Sequence, residues 1–162
     1  MIIHPWNAVY DKNSRILILG TIPSPKSREF GFFYGHPKNI FWKVLPEVLG
    51  KEAPERNMPA MKEFLLENRV ALWDVLHSCD IKGASDAHIK NAVPNDFSEV
   101  LQTAAIQKIF TNGKAATELF NKYCALKTGF EAEYLPSTSP ANCGMHGKEE
   151  FIAAWGKLLK YI

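Results

Sequence analysis

At 162 residues, 46% of them hydrophobic, the chain suits one well-buried core and is short for two ordinary domains, so a single domain over residues 1–162 is expected. A formal net charge of +2 excludes capture of a polyanion by the average field alone, and such a partner must meet a local basic patch. No apolar window approaches a membrane span, and Cys79, Cys124 and Cys143 form neither a C-x-x-C nor a Cys/His grouping, so a cytoplasmic protein with reduced thiols, no metal site and no membrane contact is expected.

Residues 1–14 carry Pro5, Asn7, Asp11, Asn13 and Ser14, which favour turns, with His4, Pro5 and Trp6 covering an edge of the core. Arg15 to Leu19 is a continuous apolar run ending at Gly20 and predicts a strand buried on both faces. Phe41, Trp42, Leu45, Val48 and Leu49 recur at helical spacing from Asn39 or Ile40 to Gly50, with Pro46 able to kink or shorten that helix. A second helix is predicted from Pro59 to Asn68, and a second strand over 70–76 whose end carries Asp74.

Residues 77–95, including Gly83, Ala84, Ser85 and Asp86, are polar and predict a long loop, either functional or mobile. A short helix follows from Asn95 or Asp96, then a third strand over 106–111, a helix opening at Asn112-Gly-Lys114 and reaching Tyr123, and a fourth strand over 130–135. Pro136 to Gly144 is dense in turn residues, and Phe151, Ile152, Trp155, Leu158 and Leu159 form the stripe of a last helix. Strands alternating with helices predict a three-layer α/β/α sandwich with a mainly parallel four-stranded central sheet. In such sheets ligands bind outside the carboxyl ends of the strands, which points to the loop after Gly20.

Gly20-Thr-Ile-Pro23 followed by Tyr34-Gly-His-Pro-Lys-Asn-Ile-Phe-Trp42 resembles the first active-site motif of the uracil-DNA glycosylase superfamily, and Pro136-Ser-Thr-Ser-Pro-Ala-Asn142 resembles its second, the loop that enters the DNA minor groove. Two positions depart from the members that excise uracil: Ile22 stands where Asp or Asn is usual, and Ser137 where His or Asn is usual. An apolar side chain orients no water, so uracil excision by the familiar residues is not implied. The apolar first motif, the Gly-His-Pro-x-Asn-x-Phe-Trp run and the Ser-Thr-Ser-Pro-Ala-Asn loop together resemble the hypoxanthine-DNA (deoxyinosine) glycosylase branch. The resemblance implies a monomeric, cofactor-free enzyme of base excision repair that flips a deaminated base out of DNA, hypoxanthine first and uracil or xanthine second, and leaves an abasic site.

That resemblance makes Asn39 the catalytic residue, although Asn is equally a good helix N-cap. Tyr34 takes the position that stacks on the flipped base, whereas Phe32 and Phe33 read as core. Thr21 and Ile22 offer backbone N–H groups to the base or to water, and Asp74 sits where a base-reading Asn is common. A carboxylate accepts from hypoxanthine N1–H; its other reading is a strand end satisfying loop N–H groups. Pro23, Ser24, His36, Ser137, Ser139, Pro140, Ala141 and Asn142 are the expected DNA contacts, Ser137 and Ser139 toward phosphates. Ala141 fills little of a vacated base space, which leaves strand opening to Asn142, Met145 or the weakness of the damaged pair, while His146 and Lys148 suit phosphates. Asn112-Gly-Lys114 is either an anion site or a plain strand-to-helix turn. A nucleic-acid-binding module without catalysis is the alternative, and a small-molecule hydrolase is weaker because no G-x-S-x-G elbow is present.

Overall fold

The computed structural model describes residues 1–82 and 86–162, with Asp86 in its backbone only; Gly83, Ala84 and Ser85 of the expected loop lie outside the described residues. The chain runs β1 (Ile2–Ile3), β2 (Ile16–Gly20), α1 (Pro25–Phe30), α2 (Phe41–Leu49), α3 (Met58–Glu67), β3 (Val70–Asp74), β4 (Leu76–Asp80) and β5 (Lys90–Pro94). It continues through α4 (Ser98–Thr103), β6 (Lys108–Asn112), α5 (Lys114–Tyr123), α6 (Ala125–Thr128), β7 (Ala132–Leu135) and α7 (Glu149–Gly156), with 3₁₀ turns at Pro140–Met145 and Lys157–Lys160.

Four strands pair in the order β3-β2-β6-β7, every pairing parallel. Parallel sheets need both faces covered, and the alternation of β2 shows how this is met. Ile16 and Ile18 pack into one apolar cluster with Phe41 and Leu45 of α2, Phe64 and Leu65 of α3, and Phe151 and Trp155 of α7. Leu17 and Leu19 pack into the other with Val100 of α4 and Ala116 and Phe120 of α5. The result is the expected α/β/α sandwich, and among the described residues no helix is long and apolar enough to cross a membrane.

Two expectations need correction, and one helix was not expected. The run over 70–76 is two strands: β3 ends at Asp74, and Val75 and Leu76 donate backbone N–H groups to Gly20 and Thr21 as the chain bends into β4. Much of the expected loop over 77–95 is β4 and β5, which with β1 form an antiparallel sheet ordered β1-β4-β5. Register shifts between Leu76 and Ser78 and between Ser78 and Asp80 break the two-residue period that would have marked β4 as a strand. The link after Pro23 contains α1, capped by Ser24, whose Oγ accepts from Ser27 N–H, and closed by Gly31 at φ 98°. Pro46 lies inside α2 without ending it, and β7 starts at Ala132, two residues later than expected.

Candidate active site

Gly20, Asp74 and Asn112 are the last residues of β2, β3 and β6, three adjacent parallel strands, so their ends stand side by side. From β2 the chain goes first to β3 on one side and later to β6 on the other, which makes the gap between β2 and β6 the switch point where a crevice opens. A cavity of about 120 Å³ lies there, lined by the segment from Gly20 to Pro25, by Tyr34, Asn39, Asp74 and Asn112, and by Ser137 to Ser139. A single ordered water needs roughly 10–15 Å³ by such a measure, so the space suits a ring more than a solvent molecule.

The absence of a side chain at Gly20 shapes the floor. A Cβ there would lie 2.5 Å from Asp74 Oδ1 and 2.7 Å from Tyr34 Oη. Those two polar tips therefore converge on one point of the pocket.

Asp74 is buried, and its Oδ2 lies 2.7 Å from His4 Nε2, itself almost fully buried. His4 arrives because β1 pairs with β4 and His4 N–H donates to His77 O at 2.7 Å. Trp6, Phe33 and Trp73 surround its ring at centroid distances of 5.8, 5.8 and 6.4 Å. His4 was expected only to cover a core edge; nothing in a lone His near one end of the chain pairs it with a residue seventy positions away. The Asp74 backbone is held as well, since Asn95 Nδ2 donates to its carbonyl at 2.9 Å.

Tyr34 holds φ at 55°, a left-handed backbone that a bulky residue adopts only when its surroundings impose it. Phe41 stacks on its ring at 4.3 Å, so a base extending the stack must lie on the opposite face. Phe32 and Phe33 are buried in the core, Phe33 also touching the cavity. Asn39 is half-buried at the cavity wall, and its Oδ1 accepts from Phe41 N–H at 3.0 Å. The N-cap of α2 is Ile40 and not Asn39, whose oxygen instead orders the turn leading into the helix, and Asn39 Nδ2 has no partner among the described residues. The backbone N–H groups of Ile22 and Ser24 likewise find no acceptor among the described residues, and both residues line the cavity.

The second motif is tied down chiefly by Thr138, which no sequence signal distinguished. Its side chain and N–H both bond the Asn112 amide, its carbonyl accepts from Ile40 N–H at 3.1 Å, and it is fully buried. Trp155 Nε1 donates to Pro136 O at 3.0 Å from below. Asn112, expected as an anion site or a turn, is thus the clasp between β6 and this loop.

Ser137 and Ser139 line the cavity, but their hydroxyls accept from Ser139 and Ala141 N–H groups and shape the loop. Asn142 Nδ2 and His146 Nε2 both turn back to Ser137 O, at 3.0 Å each, and so are not extended toward solvent as a wedge or a phosphate contact would be. Pro140 is half-buried and Ala141 exposed at the loop's outer edge. Pro23 and Ser24 line the cavity, whereas His36 lies outside its wall with Nδ1 accepting from Lys38 N–H. Among the described residues no group of three His, Cys, Asp or Glu side chains is placed to hold a metal ion.

The site therefore offers an amide, a held carboxylate, an aromatic face and backbone donors around a ring-sized space. Residues 8–159 match the uracil DNA glycosylase superfamily. Two relatives named hypoxanthine DNA glycosylase are similar over most of their length: one from Methanosarcina acetivorans, 34% identical over 143 residues (88% of this chain, 89% of the relative), and one from Methanosarcina barkeri, 35% identical over 135 residues (83% and 84%). The solution NMR structure of a protein from M. acetivorans, described as a candidate uracil DNA glycosylase, superposes with a TM-score of 0.80 at 31% identity, covering 99% of this chain and 98% of that one.

Proposed function

The chain belongs to the uracil DNA glycosylase superfamily, and from that premise we propose that it removes hypoxanthine first, with uracil and xanthine as lesser substrates, by a monofunctional hydrolysis that leaves an abasic site. That it is a DNA glycosylase of deaminated bases follows from the family and its relatives. Recognition of a base that carries a ring N–H rests on one observation: the buried group at the end of β3 is a carboxylate, Asp74, whose Oδ1 reaches the point a Gly20 side chain would occupy; the place of hypoxanthine before uracil, whose N3–H is a donor as well, is supported by the two relatives named for hypoxanthine. An ionised carboxylate only accepts hydrogen bonds, and hypoxanthine presents N1–H.

Water attacks C1′ while the C1′–N9 bond breaks and its electron pair leaves with the base, so positive charge grows on the sugar and negative charge on the base, as in other glycosidic hydrolyses; the water gives up one proton to solvent and the departed base takes one up from it. The Ile22 and Ser24 N–H groups are suited to the base oxygen where that charge gathers, and donors already in place cost no reorganisation. Asn39 is the catalytic residue of this reading: its Nδ2 and the second lone pair of Oδ1 are available to the water and the nucleotide. It acts by placement, since an amide is no general base. Tyr34 stacks on the flipped base, and Thr21, Pro23, Ser24, Ser137 and Ser139 shape the mouth toward the DNA.

We take the enzyme to act as a monomer, and cysteines that form no disulfide among the described residues suit a reducing compartment such as the cytoplasm. Duplexes carrying one deoxyinosine, deoxyuridine or deoxyxanthosine, incubated with the protein and then treated with alkali, test the proposal. Cleavage at deoxyinosine is expected to be fastest; folded protein that cleaves none of the three overturns it.

A further inference from the structure

We propose that His4 is a specificity-determining positioning residue: by donating Nε2–H to Asp74 Oδ2 it turns Asp74 Oδ1 toward the pocket as the acceptor that separates hypoxanthine from adenine. The proposal rests on the reading of the cavity as a hypoxanthine site. Its basis is a chain of hydrogen bonds whose direction is fixed. Trp6 backbone N–H donates to His4 Nδ1 at 3.1 Å, so that nitrogen is the acceptor and the ring proton sits on Nε2. Nε2–H then points at Asp74 Oδ2, 2.7 Å away.

The torsion that turns an Asp carboxyl is broad, so nothing within Asp74 sets the angle of the carboxylate plane and with it the direction of the oxygen that faces a ligand. The His4 N–H decides it. With Oδ2 occupied, Oδ1 is the oxygen beside Gly20, in the cavity wall. Hypoxanthine brings N1–H to such an acceptor, whereas adenine brings the bare N1 lone pair, and two facing acceptors repel. Deamination converts that position from acceptor to donor, so a fixed acceptor senses the chemical change that makes the lesion. Aromatic rings around His4 keep the bond dry and the imidazole in place.

A purely structural His4 would affect all substrates alike, which gives the test. Single-turnover rates are measured on duplexes containing deoxyinosine and its 1-deaza analogue, in which C–H replaces N1–H. The parent is expected to prefer deoxyinosine. His4→Leu is expected to slow deoxyinosine excision by about tenfold or more while leaving the 1-deaza rate nearly unchanged, and His4→Gln, which keeps an N–H donor, to retain part of the preference. In an Asp74→Asn background the His4→Leu change is expected to cause no further loss of preference. Equal slowing of both substrates, or of neither, overturns the proposal while leaving the function intact; a parent that excises no deoxyinosine overturns the function and this proposal with it. Should His4→Leu not fold, ¹⁵N NMR of the parent's His4 ring decides: a proton on Nε2 supports the proposal, and a proton on Nδ1 overturns it.

Discussion

Asn112 and Thr138 bind each other through both ends of one amide: Nδ2 donates to Thr138 Oγ1 at 2.9 Å, and Thr138 N–H donates to Oδ1 at 3.1 Å. The pair fastens the loop after β7 to the end of β6, and Ile40 N–H fastens the same residue to the start of α2. Both motifs are therefore held by one buried threonine, and the cavity wall they share is set by it. Thr138→Val conserves shape and both backbone bonds but leaves Asn112 Nδ2 without its acceptor, at a cost of about 1–3 kcal/mol. For a domain of this size that corresponds to a melting temperature lower by about 2–4 °C per kcal/mol. Thermal denaturation and deoxyinosine excision are expected to fall together. A variant with unchanged melting temperature and rate shows that the clasp is not needed.

Gly20 predicts a sharper effect. In Gly20→Ala the added Cβ meets the Asp74 carboxylate and the Tyr34 hydroxyl at distances that real Cβ atoms essentially never show. Asp74 cannot yield without stretching its bond to His4, and Tyr34 is already pinned by Phe41 and by its left-handed backbone. Excision is expected to fall by about 100-fold, the scale on which small displacements in a positioned site act. Steady-state kinetics on a deoxyinosine duplex check it, with binding to an abasic-site duplex as the control. Retention of near-parent activity means that the pocket floor is softer than described.

Asn39 has two jobs that different substitutions separate. Asn39→Ala removes both, while Asn39→Asp keeps an oxygen for Phe41 N–H and replaces the amide donor by an acceptor. If the amide donor contributes to catalysis, both variants lose excision, by about 10- to 1,000-fold as for other positioned transition-state donors, and only Asn39→Ala also loses stability, by about 1 kcal/mol. Rates and melting temperatures measured side by side distinguish this from a role in the turn before α2 alone, in which Asn39→Asp matches the parent in both.

Much of the framework was legible because it rests on periodicity. Ile16 to Leu19 announced a doubly buried strand, and the stripes of α2, α5 and α7 announced their layers. What escaped notice was either too short or too polar to be periodic. α1 buries only Ser27, so its Ser24-Pro25 start and Gly31 stop stood without an apolar face between them. The site was legible wherever a motif ran along the chain, as from Tyr34 to Trp42, and illegible wherever it was assembled across it. His4, Asn112 and Thr138 act through partners twenty-six or seventy residues away, and a polar residue's partner is decided by topology that no local pattern encodes.

The cysteines give a prediction that depends on the α4–α5 face instead of the cavity. Cys143 is exposed on the second motif loop, whereas Cys79 and Cys124 are buried. Burial pushes the Cys124 thiol up from 9.0 to about 11, against a smaller opposing effect of Lys127. The folded chain thus keeps that proton at pH values where the unfolded chain has released it, so stability is unaffected below about pH 9 and declines as pH rises from there to about 11. Urea denaturation at pH 8, 9 and 10 is expected to show the decline, and Cys124→Ala to show a shallower one. Under native conditions a thiol reagent is expected to label Cys143 at once and Cys124 only as the fold opens, because the thiolate is the reactive form. Labelling of Cys124 as fast as Cys143 in folded protein contradicts the burial of this thiol, and a pH profile unchanged by Cys124→Ala assigns the alkaline loss to another group, of which Tyr10, raised by burial and by Glu99, is the first to test.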